Sequence, residues 1–116
     1  MNLSIVVLTW NDWKNTIDCL QSIIKSNYKN YDIILVDNNS DLKHINFIKK
    51  WQNKEISCNN KFVNPSNQRF KKIIEIKENE VIKPKERGKQ NIFLNKNKKN
   101  YGLTKGLNIG YKFSIN

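Results

Sequence analysis

The chain has 116 residues, enough for one domain with a hydrophobic core, and 38% of them are hydrophobic. No apolar run approaches the roughly eighteen residues that a membrane-spanning helix needs. The first residues show neither the basic region nor the small-residue cleavage site of a secretory signal. We therefore expect a cytoplasmic location, either free or at the inner face of the membrane.

The formal net charge of +11 raises the question of nucleic-acid binding. Nineteen of the 21 basic residues are lysine, and they are scattered among many asparagines and isoleucines. An AT-rich genome produces this composition without selection for a phosphate-binding face, and no standard RNA-binding motif accompanies it. We expect no nucleic-acid partner, while a small anionic ligand or a membrane surface would suit the charge.

Two strand–helix units open the chain. Residues 3–8 are almost wholly apolar and rich in β-branched side chains, which predicts a parallel strand buried on both faces. Residues 13–26 carry apolar side chains at helical spacing. Residues 32–36 repeat the strand pattern, and Ser40 can cap a second helix. Strand, helix, strand, helix predicts an α/β fold with a mainly parallel sheet and flanking helices.

The second half of the chain is less regular. Residues 57–91 are polar, contain both prolines and predict an insertion around one apolar stretch, residues 72–77, which suits a strand or a hairpin. Residues 92–95 predict a third core strand, and residues 100–116 predict a last helix. Three apolar residues of that helix, four apart, are expected to face the core: Leu103, Leu107 and Tyr111. No second domain is indicated, so residues 1–116 are expected to form one domain.

The cysteines and the single histidine give no sign of a site. Cys19 and Cys58 are too few for a disulfide framework and lack the spacing of metal ligands. Cys19 lies in the first predicted helix, where we expect a buried thiol, and Cys58 lies in a polar stretch, where we expect exposure. His44 is expected on the surface of the second predicted helix.

Ligands of open parallel sheets bind beyond the carboxyl ends of the strands. Polar or aromatic residues follow the first two predicted strands: Thr9, Trp10, Asn11, Asp37 and Asn38. An indole ring such as that of Trp10 offers a stacking face for a base, and a carboxylate such as that of Asp37 can accept hydrogen bonds from a base or from ribose hydroxyls. Core packing of Trp10 and a turn role for Asp37 remain alternatives.

The segment after the third predicted strand carries three evenly spaced glycines, Gly102, Gly106 and Gly110. Glycine permits tight turns and close approach of the backbone to a ligand, and it also permits close helix packing. The first N–H groups of the last helix can bind an anion. The spacing alone leaves these uses open.

Three segments together resemble the inverting glycosyltransferase family 2: SIVVLTWN, DIILVDNNS and NKKNYGLTKGLNIGYK. The last of them fills every fixed position of the family pattern Asn-x-Gly-x-x-x-Gly-x-Asn-x-Gly. The Val-Asp-Asn-x-Ser turn is most similar to the branch that includes rhamnosyltransferase-like enzymes of cell-surface polysaccharide synthesis. The resemblance covers about residues 1–53 and 92–116. It implies the nucleotide-binding half of a GT-A fold, whose mainly parallel sheet is Rossmann-like.

The resemblance implies transfer of a sugar from a UDP-, dTDP- or GDP-sugar to a saccharide or other surface-polymer acceptor. It also implies a nucleotide-binding set: Thr9, Trp10, Asn11, Asp37, Asn38, Lys105, Gly106 and Asn108. Within this set Thr9 and Trp10 would line the base pocket, and Asp37, with Asn38 beside it, would contact the base or ribose. The segment of residues 105–108 would close over the nucleoside, and Lys105 would approach a phosphate.

The family's Asp-x-Asp metal motif and its catalytic base have no counterpart in the sequence and are expected beyond Asn116. Mg²⁺ or Mn²⁺ is implied for the complete enzyme, while this chain alone is expected to be inactive. The alternative is a non-catalytic nucleotide-binding or interaction module. A sheet this small is also expected to leave an exposed edge strand, which favours pairing with a second copy.

Overall fold

The computed structural model describes residues 2–58 and 66–115. Its elements, in chain order, are β1 (Leu3–Thr9), α1 (Trp13–Ile24), β2 (Tyr31–Asp37), α2 (Leu42–Gln52), β3 (Ile73–Ile76), a short 3-10 helix (Pro84–Glu86), β4 (Ile92–Lys96) and α3 (Gly102–Ile115). Met1, Asn116 and residues 59–65 lie outside the described residues. Pro65 of the predicted insertion is among them.

The four described strands form one sheet in the order β1-β2-β4-β3, and every neighbouring pair is parallel. The predicted α/β fold with a parallel, Rossmann-like sheet is thereby confirmed. The register sets Thr9 of β1 beside Asp37 of β2, and Asp37 beside Lys96 of β4. Three strands therefore end together, so the residues that follow them share one border of the sheet.

Helices cover both faces of this sheet. The apolar side chains of α1 and α2 pack with one face of β2, where Ile33 and Leu35 point, and α3 packs on the face of Ile34 and Val36. All seven residues of β2 are buried because strands flank β2 on both sides and helices cover both of its faces. The apolar run that predicted this strand is uninterrupted because neither face of β2 is exposed to water.

The apolar stretch of the predicted insertion is strand β3, which lies parallel to β4 at the edge of the sheet. Side chains fix the segment that leads into it. The Gln52 amide donates to the carbonyl of Phe70 (2.6 Å) and accepts from its N–H (3.2 Å). The Arg69 guanidinium lies 4.3 Å from the centre of the Trp51 ring and donates to the Trp51 carbonyl.

The turn into β4 is built on a buried carboxylate. Asp32 of β2 accepts hydrogen bonds from the backbone N–H groups of Gly88, Lys89 and Asn91. Gly88 has φ +73°, a conformation that side-chain-bearing residues rarely adopt. Because one acceptor serves three donors of the same turn, Asp32 fixes where β4 begins beside β2.

Both cysteine predictions are wrong. Cys19 is exposed, because α1 directs Ile17 and Leu20 toward the sheet and leaves Cys19 on its outer side. Cys58 is buried, because the chain after α2 returns across α1. There the buried Gln21 side chain donates to the Cys58 carbonyl (3.4 Å) and accepts from the Ser66 N–H (3.0 Å). The two cysteines are free thiols.

The predicted apolar stripe of α3 is also wrong. Leu103, Leu107 and Tyr111 are exposed to 67%, 38% and 59%. The residues that face the sheet are Gly106, Ile109, Gly110 and Phe113. A Cβ at Gly110 would lie 2.4 Å from Val6 Cγ1, and one at Gly106 would lie 2.7 Å from Leu8 Cδ1. The helix lies so close to β1 that only glycine fits at these two positions.

Candidate functional site

The end of β1 presents one side chain to solvent and buries its neighbour. Thr9 is buried, and its hydroxyl oxygen lies 2.7 Å from that of Thr16 in α1. Trp10 is 53% exposed and stands at the border where the strands end. Thr9 therefore anchors the strand end to α1, and the indole of Trp10 is accessible to a ligand.

Asn11 connects the ends of the first two strands. Its side-chain oxygen accepts from the N–H of Asp41 (2.7 Å), and its own N–H donates to the Ser40 hydroxyl (2.8 Å). It has φ +47°, which asparagine tolerates better than most residues. Ser40 was predicted to cap α2, but Asp41 occupies that position without a side-chain cap bond. The Ser40 hydroxyl serves Asn11 instead.

The Asp37 carboxylate lies at the centre of this border. It is buried, and both of its oxygens lie 3.3 Å from the Ser40 N–H. Burial raises the pKa of Asp37, while the Ser40 hydrogen bond and the charges of Lys96 and His44 oppose that rise. A carboxylate with so few strong donors retains the capacity to accept hydrogen bonds from a ligand.

Two residues near Asp37 were not among the predicted site residues. Lys96 stands beside Asp37 in the register of β2 and β4. His44 lies in the first turn of α2 and is half-buried, and its Nδ1 is buried without a hydrogen-bond partner among the described residues. The sequence signal that could have found both residues is their position. Lys96 is the last residue of β4, and His44 lies in the first turn of the helix that follows Asp37.

The side chain of Asn38 makes structural hydrogen bonds within the protein. It is buried, its side-chain nitrogen donates to the Gly102 carbonyl (3.0 Å), and its oxygen accepts from the Asn97 side chain (2.9 Å) and the Tyr101 N–H (3.4 Å). The Asn97 oxygen in turn accepts from the side chain of Asn95 (2.7 Å). This chain of amides seats the start of α3 against the ends of β2 and β4.

The predicted residues of α3 separate into three environments. Lys105 is exposed, and its ammonium lies 4.3 Å from the centre of the Tyr101 ring, next to the Asn38 network. Gly106 is buried against Leu8. Asn108 is exposed on the side of the helix opposite Gly106 and does not join the border of strand ends.

Five side chains therefore lie along one border of the sheet: Trp10, Asn11, Asp37, Lys96 and Lys105. Thr9, Asn38 and Gly106 support it from inside. A cavity of about 660 Å³ adjoins Lys96 beyond the ends of β3 and β4. Its lining combines charged and amide side chains: Lys77, Glu78, Asn79, Glu80, Asn97 and Lys98.

Acidic and other metal-binding side chains do not gather here. Across residues 2–58 and 66–115, no three His, Cys, Asp or Glu side chains are close enough to hold a metal ion. In the same residues, no helix combines the length and the apolar character needed to cross a bilayer.

The sequence model of Glycosyl transferase family 2 matches residues 4–73, more than half of the chain. The chain belongs to this family. The match runs from β1 through α2 and ends at the first residue of β3, so it takes in the border residues after β1 and β2. Comparisons with curated proteins and with solved structures found no match.

Membership of glycosyl transferase family 2 fits the fold, a parallel, Rossmann-like sheet with flanking helices. The glycine-bearing segment in α3 lies beyond the matched residues. Its asparagine and glycines have structural uses of their own, since Asn100 accepts from the Gly102 N–H (2.8 Å) and two glycines admit the helix to the sheet.

Proposed function

We propose that this chain binds the nucleoside diphosphate part of a nucleotide-sugar donor at the carboxyl border of its sheet. In this proposal it forms the donor site of an inverting transferase, of the rhamnosyltransferase-like branch, that passes a sugar to a saccharide or other surface-polymer acceptor. The observation that carries the proposal is the pairing of an accessible Trp10 with a buried Asp37 carboxylate at adjacent strand ends.

Trp10 supports the base-binding role. An indole that is 53% exposed keeps apolar area in water, and a stacked base would cover it. Base–aromatic stacking contributes about 1–3 kcal/mol per base in nucleic-acid complexes. The hydrogen bonds of Asn11 to Ser40 and Asp41 fix the turn that follows Trp10. The ring therefore stands on a rigid support and loses little entropy on binding.

Asp37 supports recognition of the base edge or the ribose. Its burial makes the charged carboxylate costly, as the raised pKa shows, and a ligand hydroxyl or N–H would offset that cost with a charge-assisted hydrogen bond. Lys96 stands beside it in the sheet and keeps the net charge of the border favourable for an anion. The carboxylate thus selects a hydrogen-bond donor in a site that attracts phosphate.

Lys105 supports the diphosphate. The centre of the Tyr101 ring lies 4.3 Å from the ammonium group of Lys105 and 5.3 Å from that of Lys99. Tyr101 itself is tied to Asn38 at the end of β2. Two cations therefore lie close to the start of α3, where the positive end of the helix dipole favours negative charge as well.

Inverting transfer also needs a base for the acceptor hydroxyl and stabilisation of the leaving diphosphate. We propose Mg²⁺ or Mn²⁺ for the latter. The described residues do not fit a metal ion, because their acidic side chains are dispersed. Neither a metal ligand nor a catalytic base is therefore assigned to them. The charge of +11 supports a cytoplasmic location at the membrane surface, where anionic lipids attract lysine.

Titration calorimetry with UDP, dTDP and GDP, with and without Mn²⁺, tests the proposal. We expect one nucleotide to bind, Trp10→Ala to weaken it about tenfold through lost stacking, and Asp37→Asn to weaken it by a similar factor. Tyr111→Ala is the matched control, since Tyr111 is 59% exposed but lies in the middle of α3, away from the strand ends.

Binding that is unchanged by Trp10→Ala, or salt-sensitive binding of single-stranded RNA in place of nucleotides, would contradict the proposed site.

A further inference from the structure

We propose that the amino border of the sheet is a docking surface for a membrane that contains anionic lipids. The amino border is the end of the sheet where the strands begin and where α1 and α2 end, opposite the carboxyl border. Six exposed lysines, which we call the basic border, carry the proposal: Lys29, Lys54, Lys71, Lys72, Lys85 and Lys89. The inference rests on the membrane-surface location proposed above and does not use the nucleotide site.

The connections at the two borders differ in charge. Those at the amino border contain nine basic and two acidic residues, and they are residues 25–30, 53–58, 66–72 and 84–91. Those at the carboxyl border contain four basic and four acidic residues, and they are residues 10–12, 38–41, 77–83 and 97–101. The positive charge is therefore concentrated at one end of the sheet, and a negatively charged surface would attract that end.

The fold gathers lysines that are scattered in the sequence. The Lys71 N–H donates to the Gln90 carbonyl (2.8 Å), and the Lys72 carbonyl accepts from the Ile92 N–H (2.9 Å). These backbone bonds hold the connection before β3 beside the connection before β4. As a result, four lysines from the two connections line one cavity of about 200 Å³: Lys71, Lys72, Lys85 and Lys89.

The other two lysines continue the same surface. Lys29 and Lys54 line a second cavity, of about 390 Å³, together with Arg69. Arg69 also lines a third cavity, of about 570 Å³, that reaches Lys71 and Lys72. Because neighbouring cavities share residues, the six lysines belong to one continuous surface.

The charges of the basic border are not neutralised within the protein. Across residues 2–58 and 66–115, none of its six lysines lies within salt-bridge distance of a carboxylate. Cations that are gathered without anions repel one another, and this repulsion opposes folding. A surface of negative headgroups would turn that repulsion into attraction.

Lys54 is retained at a position that suits glycine better. It is the second residue after α2 and has φ +62°, a left-handed conformation that helices commonly give to glycine or asparagine at this place. A lysine in this conformation costs stability because its Cβ crowds the backbone. Folding alone therefore gives no reason for lysine at position 54, whereas an electrostatic surface does.

The type of cation favours a membrane over a nucleic acid. Arginine supplies the planar fork that reads phosphate groups specifically, whereas lysine is a point charge on a flexible stem. The nearest arginine, Arg69, is held by the Trp51 ring and carbonyl. The basic border also offers no aromatic ring on which a base could stack. Clusters of about four to eight basic residues bind anionic leaflets by diffuse attraction, without a fitted pocket.

Co-sedimentation with lipid vesicles tests the proposal. We expect binding to vesicles of equal parts phosphatidylglycerol and phosphatidylcholine, no binding to phosphatidylcholine alone, and loss of binding at high salt. The double variant Lys71→Gln with Lys72→Gln should weaken binding about tenfold or more, since a lysine near an anionic leaflet contributes about fivefold. Lys54→Gly should weaken it about fivefold without lowering the free energy of unfolding.

The double variant Lys14→Gln with Lys43→Gln is the matched control. It removes the same charge from exposed positions at the starts of α1 and α2, away from the amino border, and should change binding by about twofold or less. Equal weakening by the two double variants overturns the proposal. So does equal binding to both kinds of vesicle, or binding of single-stranded RNA by a chain that does not bind vesicles.

Nucleotide calorimetry on the same samples separates this inference from the proposed function. Vesicle binding without nucleotide binding would contradict the donor site alone. Nucleotide binding without vesicle binding would contradict the membrane-docking surface alone. The Lys71→Gln and Lys72→Gln variant should bind nucleotide as the unmodified chain does, because both residues lie at the opposite border of the sheet.

Discussion

The two edges of the sheet differ in length and in charge. Edge strand β3 has four residues, contains Glu75 and is bordered by lysines on both sides. Glu75 lies 2.7 Å from the ammonium of Lys49 and 3.4 Å from that of Lys96. Edge strand β1 has seven residues and carries no charge.

Edge strands expose unpaired backbone groups, and charged residues on a short strand discourage other chains from pairing with them. By this criterion β3 is an edge that faces water, and β1 lacks every such protection. The contrast teaches that the sheet is asymmetric by composition as well as by position. One edge is fit to remain free, and the other is fit to receive a neighbour.

The largest expected effect comes from a proline substitution inside β1. Ile5→Pro removes an N–H that bonds to β2, and we expect it to lower the free energy of unfolding by about 3 kcal/mol or more. Ser4→Pro removes an outward N–H and should cost far less. Urea denaturation at low protein concentration measures both, with Ile5→Ala to isolate the loss of the side chain. The Leu3 N–H donates to the Asn30 carbonyl and the Thr9 carbonyl accepts from the Asn38 N–H, so in the parallel register the odd-numbered residues of β1 bond to β2. Equal costs for the two prolines would contradict this alternation.

A second test removes the close helix cover of β1. Gly110→Val would place new atoms against Val6 and Val36, and we expect the free energy of unfolding to fall by about 2 kcal/mol through overpacking. Asn108→Ala, on the exposed side of the same helix, should change it by less than about 0.5 kcal/mol. A tolerated Gly110→Val would mean that α3 can lift from β1 at little cost.

The third prediction concerns the pKa of Asp37, which lies at the end of the central strand β2. The pKa of Asp37 is raised by burial, so the folded state binds its proton more tightly than the unfolded state does. Stability must then fall as pH rises from the ordinary aspartate pKa through the raised one. Asp37→Asn should remove this slope and raise the free energy of unfolding at pH 7, while the proposed nucleotide affinity falls. Thermal unfolding from pH 3 to 8 measures it.

The smallest effect concerns Glu75, whose shift has the opposite sign. The hydrogen bond from Lys49 lowers the pKa of Glu75, assisted by the charge of Lys96. The resulting stability is present above the ordinary glutamate pKa and is lost as pH falls through the lowered one. Glu75→Gln should cost less than about 0.5 kcal/mol at pH 7, and added salt should reduce that cost. A slope of the same sign as that of Asp37 would contradict this assignment.

The sequence predicted the fold class and three of the four described strands because buried parallel strands are continuous apolar runs. The pairing of β3 with β4 could not be predicted in this way, since four residues carry little pattern and the partner is distant in the chain. The face of α3 was mispredicted for a different reason. Counting apolar side chains favours Leu107 over Gly110, but close packing on β1 requires the glycine.

The candidate site was predictable in position and less so in role. Strand ends located Trp10 and Asp37 correctly at one border. Asn38 occupies the same border, but its amide bonds to three backbone or side-chain partners near α3, which no local pattern reveals. His44 was assigned to the surface because its neighbours in sequence are polar, while its half-burial depends on how α2 sits on the sheet.

The Asn38 network has a consequence for the order of folding. Its partners Asn97, Tyr101 and Gly102 follow it by 59, 63 and 64 residues. On a growing chain, β1 and β2 can pair early, yet the amide at the end of β2 stays without these partners until synthesis has passed residue 102. Contacts of such separation form late and raise the entropic cost of the folding barrier. The border formed by the strand ends should therefore be among the last parts of the molecule to mature.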